Sequence, residues 1–475
     1  RGGASVSDPS ASGGLETMTS RDMDLVYGDD GQALQRALLM GEATVVLRGT
    51  APGGASRRLS AATIDISLAP DGATVVGLDA RDRVRLDLPA GADTPARVIT
   101  AAALAAGGTP EAGLTSASFR HQVVFLETPP RGAAPRRATS ERLDLALEDG
   151  FDTIRSADFS GGTRFEEERL RAAAADAKYD VGAGLLQLRP AARAAGRPQV
   201  VDDQATIEAD RIDVRIDGGG IDAAGVVKSN LRPGSRTPET QAAAAAGDRE
   251  GGRLPSMMKQ DEPVFGTSDA LAYEEGGGRL VYTGRSQLWQ GDTSIKGDRI
   301  ELDDRNGDLS ASGQVISTMS LEQVDDRTKK PEKVRSVATA DDLVYEEARR
   351  RALYSGNARL NGPQGDLAAD RIEIYLREGG SQVERLEAYP APGGGTVSIK
   401  TPDGRQATGS RLTYLAADER YEMAGAPVRI VEECRETTGK TLTFFRSADR
   451  IVVDGNEQTR TEVKGSGGCS GPRLD

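Results

Sequence analysis

The sequence predicts an all-β protein of short antiparallel strands stacked in two layers, organised as two tandem repeat-built modules. Three observations lead there. Apolar and polar residues alternate over four to eight positions in segment after segment, the period-2 signature of a half-buried strand. Gly makes up 57 of the 475 residues, well above the ~7% usual in proteins, and Gly, Asn and Asp cluster between the alternating segments as hairpin turns require. Finally, Asp-Arg-Ile followed by an alternating pair recurs at Asp210, Asp298, Asp370 and Asp449, at intervals of 88, 72 and 79 residues, and repetition on that scale marks a stacked architecture.

From the N-terminus, faint strands appear at Met23-Asp24-Leu25-Val26-Tyr27, Thr63-Ile64-Asp65-Ile66 and Asp176-Ala177-Lys178-Tyr179. Helical pattern is scarce. Residues 165–176 are the best candidate, although their Arg, Ala and Glu content equally fits an excursion beside strands. Residues 230–262, with three prolines and a polyalanine run, read as a linker between the halves. Beyond it a second motif precedes each Asp-Arg-Ile: Asp269-Ala270-Leu271-Ala272-Tyr273 with Leu280-Val281-Tyr282-Thr283-Gly284, then Asp342-Leu343-Val344-Tyr345 with Leu353-Tyr354-Ser355-Gly356, then Leu412-Thr413-Tyr414 with Tyr421-Glu422-Met423. Glu275-Gly276-Gly277-Gly278 and Arg305-Asn306-Gly307-Asp308 supply turns. In such a strand Ile300 and Leu302 face one side while Arg299 and Glu301 face water. One apolar face per strand is stable only when two sheets press those faces together.

Composition excludes several functions. The formal charge is −13, and every Arg-rich stretch is interleaved with acids, which argues against nucleic acid. The most apolar run, residues 98–106, is about half the ~20 residues of a spanning helix. A single histidine, His121, leaves no easy triad, zinc or heme site; beside Val123, Val124 and Phe125 it reads as a partly buried strand histidine. Gly439-Lys440-Thr441 resembles the end of a phosphate loop, but Cys434 stands where the first Gly belongs. Asp304-Arg305-Asn306-Gly307-Asp308 lacks the later Glu of a calcium loop and reads as a hairpin turn. The Asp-Arg pairs read as solvated strand faces with weak ion pairs. No metal, cofactor or catalytic residue is expected. Cys434 and Cys469, near the C-terminus, predict one disulfide and an oxidising compartment; two free thiols in a reducing one are the alternative.

The run from Leu280 through Gly284, Gly291, Gly297-Asp298-Arg299-Ile300-Glu301-Leu302 to Leu309-Ser310-Ala311-Ser312-Gly313 resembles the OstA-like family of lipopolysaccharide transport proteins. Residues 263–465 resemble an LptA-type bridge, and residues 1–229 an LptC-type or divergent OstA-like module; 466–475 form a tail. The resemblance implies an antiparallel β-jelly roll open along one side like a folded taco, whose groove shields acyl chains of lipopolysaccharide or a related glycolipid. It also implies a periplasmic, non-enzymatic carrier, with any inner-membrane anchor lying outside this sequence; a folded-over sheet that does not close leaves strand edges at its two ends, which predicts edge-strand addition of other transport components or head-to-tail self-association. Strand parity then assigns the groove to Leu271, Tyr273, Leu280, Tyr282, Ile295, Ile300, Leu302, Leu343, Tyr345, Ile372, Ile374, Leu412, Tyr414, Tyr421 and Met423. The same residues would equally make a plain core, so a structural or adhesive repeat protein without cargo is the alternative, and a carbohydrate enzyme a third.

Overall fold

The chain divides into two compact units, Arg1–Gly225 and Val226–Asp475. The computed structural model describes all residues except 1–2, 8–14, 30, 50–54, 92–93, 131–132, 149–150, 152, 192–195, 217, 233–252, 275–277, 325–330, 364, 403, 433–434, 446–449, 455–459 and 464–475. Among the described residues there are 31 strands, and every pairing with a described register is antiparallel, as in the run from Val264–Glu274 through Arg279–Gln290 and Thr293–Asp303 to Asp308–Val324. Residues 165–176, the best helical candidate, instead close a hairpin between strands Thr153–Glu167 and Leu170–Asp180, with Phe165 opposite Ala172. Burial of Phe165, Ala172, Ala177 and Tyr179 outweighs the helical propensity of the Ala/Arg/Glu run.

A corner in the middle of the long strands folds each unit's sheet over on itself. In the second unit Gly284–Arg285, Gly313–Gln314 and Gly356–Asn357 are consecutive residues of positive φ, and the register with the next strand shifts at each pair. The first unit turns the same way at Gly41–Glu42, Asp82–Arg83, His121–Gln122 and Gly161–Gly162. Such bulges bend a strand and sharpen its twist. The glycine is required twice over. Its φ is 76° at Gly356, and a Cβ there would lie 2.4 Å from Asp341 Oδ2; the equivalent clash is 2.4 Å at Gly313 with Asp298 and 2.5 Å at Gly284 with Asp269. Asp298 of the recurring Asp-Arg-Ile motif is therefore a corner residue seated on the glycine of the following strand. His121 occupies a corner too. It is exposed, not partly buried as its apolar neighbours suggested, and its Nδ1 lies 2.6 Å from Glu141 Oε1, because the bulge turns it out of the alternation.

Contacts between the two halves of the strands show the layers facing each other. In the second unit the Tyr354 hydroxyl lies 2.6 Å from Ser317 Oγ, and that of Tyr282 lies 2.9 Å from Ser229 Oγ. Burial pushes both phenols up to about 12. In the first unit the Tyr179 hydroxyl reaches a ladder of Arg97, Glu127, Arg136 and Glu167, each directly opposite the next on four successive strands. The ion pairs are 2.8, 3.2 and 2.8 Å long, Arg97 and Glu127 are buried, and Tyr179 donates to Glu127 Oε1 at 3.2 Å. Burial, and next the Glu127 charge, hold that phenol well above its usual range.

Toward the end of each unit one long strand gives way to two short ones, one per layer. In the second unit Gly365–Leu376 pairs through its last residues with Val383–Tyr389 and through its first with Val397–Lys400. These continue into Arg411–Leu415 and Gln406–Gly409, which rejoin along Arg420–Glu432. The first unit repeats this plan with Leu170–Asp180, Leu185–Arg189, Gln199–Val201, Ala205–Glu208 and Arg211–Arg215. Val200 opposite Ile207 and Ile399 opposite Ala407 stand at matching places in the two.

Candidate functional site

Inside the second unit the ladder lines up buried side chains in continuous tracks across the strands. One runs Leu271, Tyr282, Ile300, Ala311, Leu343, Tyr354, Ile372, Ala388, Leu412, Met423 and Leu442, each opposite the next. A second, one pleat over in the same layer, runs Tyr273, Leu280, Leu302, Leu309, Tyr345, Ala352, Ile374, Leu386, Tyr414, Tyr421 and Phe444. The facing layer carries Leu288, Ile295, Ser317, Ala338, Leu360, Leu367, Ile399, Ala407 and Ile430. At ~4.8 Å per strand the tracks extend roughly 50 Å.

Fourteen of the fifteen residues assigned to a groove by parity lie on the first two tracks, and Ile295 lies on the third. All are buried except Tyr421, which is half-buried. Through most of the unit the layers touch and the interior is filled. Gly266 shows how closely: a Cβ there would lie 2.8 Å from Tyr282 Cε1 of the opposite layer. Leu271, Tyr273, Leu280, Tyr282, Ile295, Ile300, Leu302, Leu343, Tyr345, Ile372 and Ile374 belong to this packed part.

The interior opens where the strands divide. A cavity of about 220 Å³ lies between Leu360, Leu367 and Ile399 of one layer and Leu386, Leu412, Tyr414 and Tyr421 of the other. A smaller one of about 40 Å³ shares Ile399, Leu412 and Tyr421 with it and continues toward Met423, Ile430, Leu442 and Phe444. Leu360, Val383, Ile399, Tyr421 and Phe444 are only half-buried, so each keeps some apolar surface open to solvent. Gly362, Pro363 and Gly365 bound the mouth on one side, and Arg377, Gln382, Ala416 and Glu419 on the other. Its rim therefore joins the turns at the two ends of the folded sheet, on the side opposite the corners. Next to it Glu322 N donates to Ser381 O at 2.7 Å and Gln382 Nε2 to Glu322 Oε2 at 3.3 Å, tying the two sides together. An apolar interior with a charged rim suits an amphipathic ligand.

Outside, the Asp-Arg segments form ion-paired faces, in which Glu373 is buried. Arg299 lies 3.1 Å from Glu301, and Arg371 3.3 Å from Glu373; Arg371 also stacks 4.4 Å above the Tyr389 ring and Arg385 4.1 Å above Tyr375. No group of three or more metal-ligating side chains occurs among the described residues, and none of their helices is long and apolar enough to cross a membrane. Residues 304–307 form a hairpin turn, and residues 439–441 lie within strand Arg435–Phe445. Cys434 and Cys469 lie outside the described residues.

Comparison with known proteins touches this region. Residues 337–459 match the family model described as LptA/(LptD N-terminal domain) LPS transport protein, a span holding most of the cavity lining. Among solved structures the chain is similar to LptH, the LptA homologous periplasmic component of the conserved lipopolysaccharide transport device from Pseudomonas aeruginosa, at 19% identity, over 31% of this chain and 94% of that one, with a TM-score of 0.23. No curated protein matches the sequence.

Proposed function

We propose that the second unit carries the acyl chains of lipopolysaccharide, or of a closely related glycolipid, as a non-enzymatic periplasmic transport protein. The apolar cavity opening between the layers carries this reading, because it offers aliphatic and aromatic surface inside while the sugar and phosphate head stays in water at the Arg377, Gln382 and Glu419 rim. A protein of charge −13 gains nothing from overall attraction to an anionic glycolipid, so affinity has to come from burial at ~0.8 kcal/mol per methylene. The family match over residues 337–459 supports the same cargo class. The first unit, read as a divergent OstA-like or LptC-type module, would dock within the same transport system. Strands Arg450–Asp454 and Arg460–Val463 pair with Arg435–Phe445 and with no second strand among the described residues, which leaves edges for another transport component or a second copy to extend.

Strand parity gives the test. A photo-crosslinking residue at Val383 or Tyr421, which line the cavity, should capture glycolipid, whereas one at the exposed Glu384 or Glu422 should not. Equal capture from both parities, or none from either, would favour a structural repeat protein.

A further inference from the structure

We propose that residues 253–262 form a displaceable strap across the open side of the second unit, with Met257 and Met258 holding space that a longer acyl chain takes when the strap leaves. The inference deepens the acyl-carrier reading and rests on it. These residues lie at the end of the stretch that composition marks as linker, yet they are packed. Leu254, Met257 and Met258 are buried. On one side Arg253 N donates to Asp304 O at 2.5 Å, Ser256 N to Glu347 Oε2 at 2.8 Å, and Arg253 Nη2 to Glu347 Oε1 at 3.0 Å. On the other, Lys259 N donates to Gln290 Oε1 at 2.6 Å, and Gln290 Nε2 returns bonds to the carbonyls of Lys259 and Glu262 at 2.9 and 2.8 Å. Asp304 and Glu347 stand in turns at one end of the folded sheet, and Gln290 ends a strand at the other, so the segment spans the gap between the layers.

Two features make it a strap and not a further strand. It belongs to no ladder, and its hold is concentrated on the side chains of Glu347 and Gln290, so few bonds must break together for it to leave. It also stops where the cavity starts. The Ser256 carbonyl would lie 1.7 Å from a Cβ on Gly380, in the turn whose Arg377 and Gln382 form the cavity rim. Ser256 Oγ meets the hydroxyl of Tyr345 at 2.6 Å, on the same buried track that reaches Tyr414 and Tyr421 in the cavity. Methionine's unbranched thioether fills irregular apolar space and readily gives it up.

The test compares the full chain with Met257→Asp/Met258→Asp and with Glu347→Ala, using a twelve-carbon fatty acid bearing a terminal fluorophore. The inference expects at least tenfold tighter binding by either variant, and faster hydrogen exchange at the Ser256 and Lys259 amides of the unaltered chain when the fatty acid is added. If the methionine variant does not fold, Glu347→Ala and the exchange measurement carry the test. Unchanged affinity in folded variants, with those amides equally protected in the presence of the fatty acid, overturns the strap. Binding that Leu386→Asp abolishes would then still stand for the carrier reading. No binding by any form removes both.

Discussion

Saturated fatty acids of increasing length, titrated against the full chain, should bind with an affinity that climbs and then levels. The climb follows from burial: each methylene entering the cavity contributes ~0.8 kcal/mol, or about fourfold in Kd at roughly 1.4 kcal/mol per tenfold. The levelling follows from the cavity's size. At ~24 cal/mol per Å³, the loss associated with an unfilled apolar cavity, the volume of about 220 Å³ corresponds to about 5 kcal/mol, which six or seven methylenes recover. Longer tails then meet the packed part of the tracks around Ile374 and Ile372, where no room remains until the layers part. Calorimetric titration of acids from six to fourteen carbons measures slope and break together, and melting curves taken alongside separate binding from unfolding. An affinity independent of chain length would refute the cavity as an acyl site. A slope continuing unbroken to fourteen carbons would refute the claim that the neighbouring interior is closed. In the strap-released chain the break should move to longer acids.

Three further outcomes follow from the geometry. Gly356→Ala should destabilise the second unit by about 2 kcal/mol or more, from the positive φ and the contact with Asp341, and adding Asp341→Gly should recover part of that in urea unfolding; additive effects would mean the corner is not a coupled pair. Tyr354→Phe should lose about 1–2 kcal/mol because the buried Ser317 hydroxyl loses its partner, and Ser317→Ala in the same chain should restore most of it. Asp304 is pushed up to about 6 by burial and next by the Asp303 charge, so its ionised form opposes folding: the stability it contributes is fully present below pH ~4 and is lost as pH rises through 6. At ~1.36 kcal/mol per pKa unit, discounted because the carboxyl is only partly buried and solvent screens it, Asp304→Asn should gain roughly 1 kcal/mol over the unaltered chain at pH 7 and nothing at pH 4; a pH-independent difference in thermal melts would rule that out.

Much of this structure was legible in the residues because alternation is a local signal. Ile300 and Leu302 point inward and Arg299 outward for the reason any strand's side chains do, and Arg305-Asn306-Gly307-Asp308 turns because those residues favour turns. What escaped depends on partners distant in sequence. Asp298 looks like a surface acid until Gly313 comes to lie under it, and only then does the spacing of Asp and Gly acquire a meaning. Leu360, Leu367 and Ile399 were missed because both recurring motifs mark one layer only, ahead of the corner in Arg279–Gln290 and past it in Thr293–Asp303; the facing layer has no signature beyond period 2. Met257 and Met258 were hidden by their setting, a Pro- and Ala-rich stretch whose average polarity conceals two side chains that find an apolar gap.

The two units also show that an open interior is a property of residues and not of the fold. Both divide one long strand into two short ones, and in both the pairing is the same: Leu186 opposite Val214 and Ile212 opposite Ala223 in the first, Leu386 opposite Tyr414 and Leu412 opposite Met423 in the second. In the first, Leu186, Val200, Ile207, Ile212 and Val214 are all at most 2% exposed; in the second, Tyr414 is 9% exposed and Ile399 and Tyr421 are half-buried. Ile207, opposite Val200 in the first unit, corresponds to Ala407, opposite Ile399 in the second, and Ala407 lines the smaller cavity, so a large side chain of the filled interior is only a methyl group in the open one. The first unit adds charges to its seal, since the Arg97, Glu127, Arg136 and Glu167 ladder reaches Tyr179 across the layers and a buried ion network resists an entering apolar chain by the desolvation its separation would require. The second unit has a removable strap and a cavity in the corresponding role. Introducing a larger aliphatic side chain at Ala407, which lines the smaller cavity and whose first-unit counterpart is Ile207, should therefore shrink the open interior and shift the fatty-acid break to fewer carbons, and Ala407→Ile leaving that break in place would separate cavity from cargo.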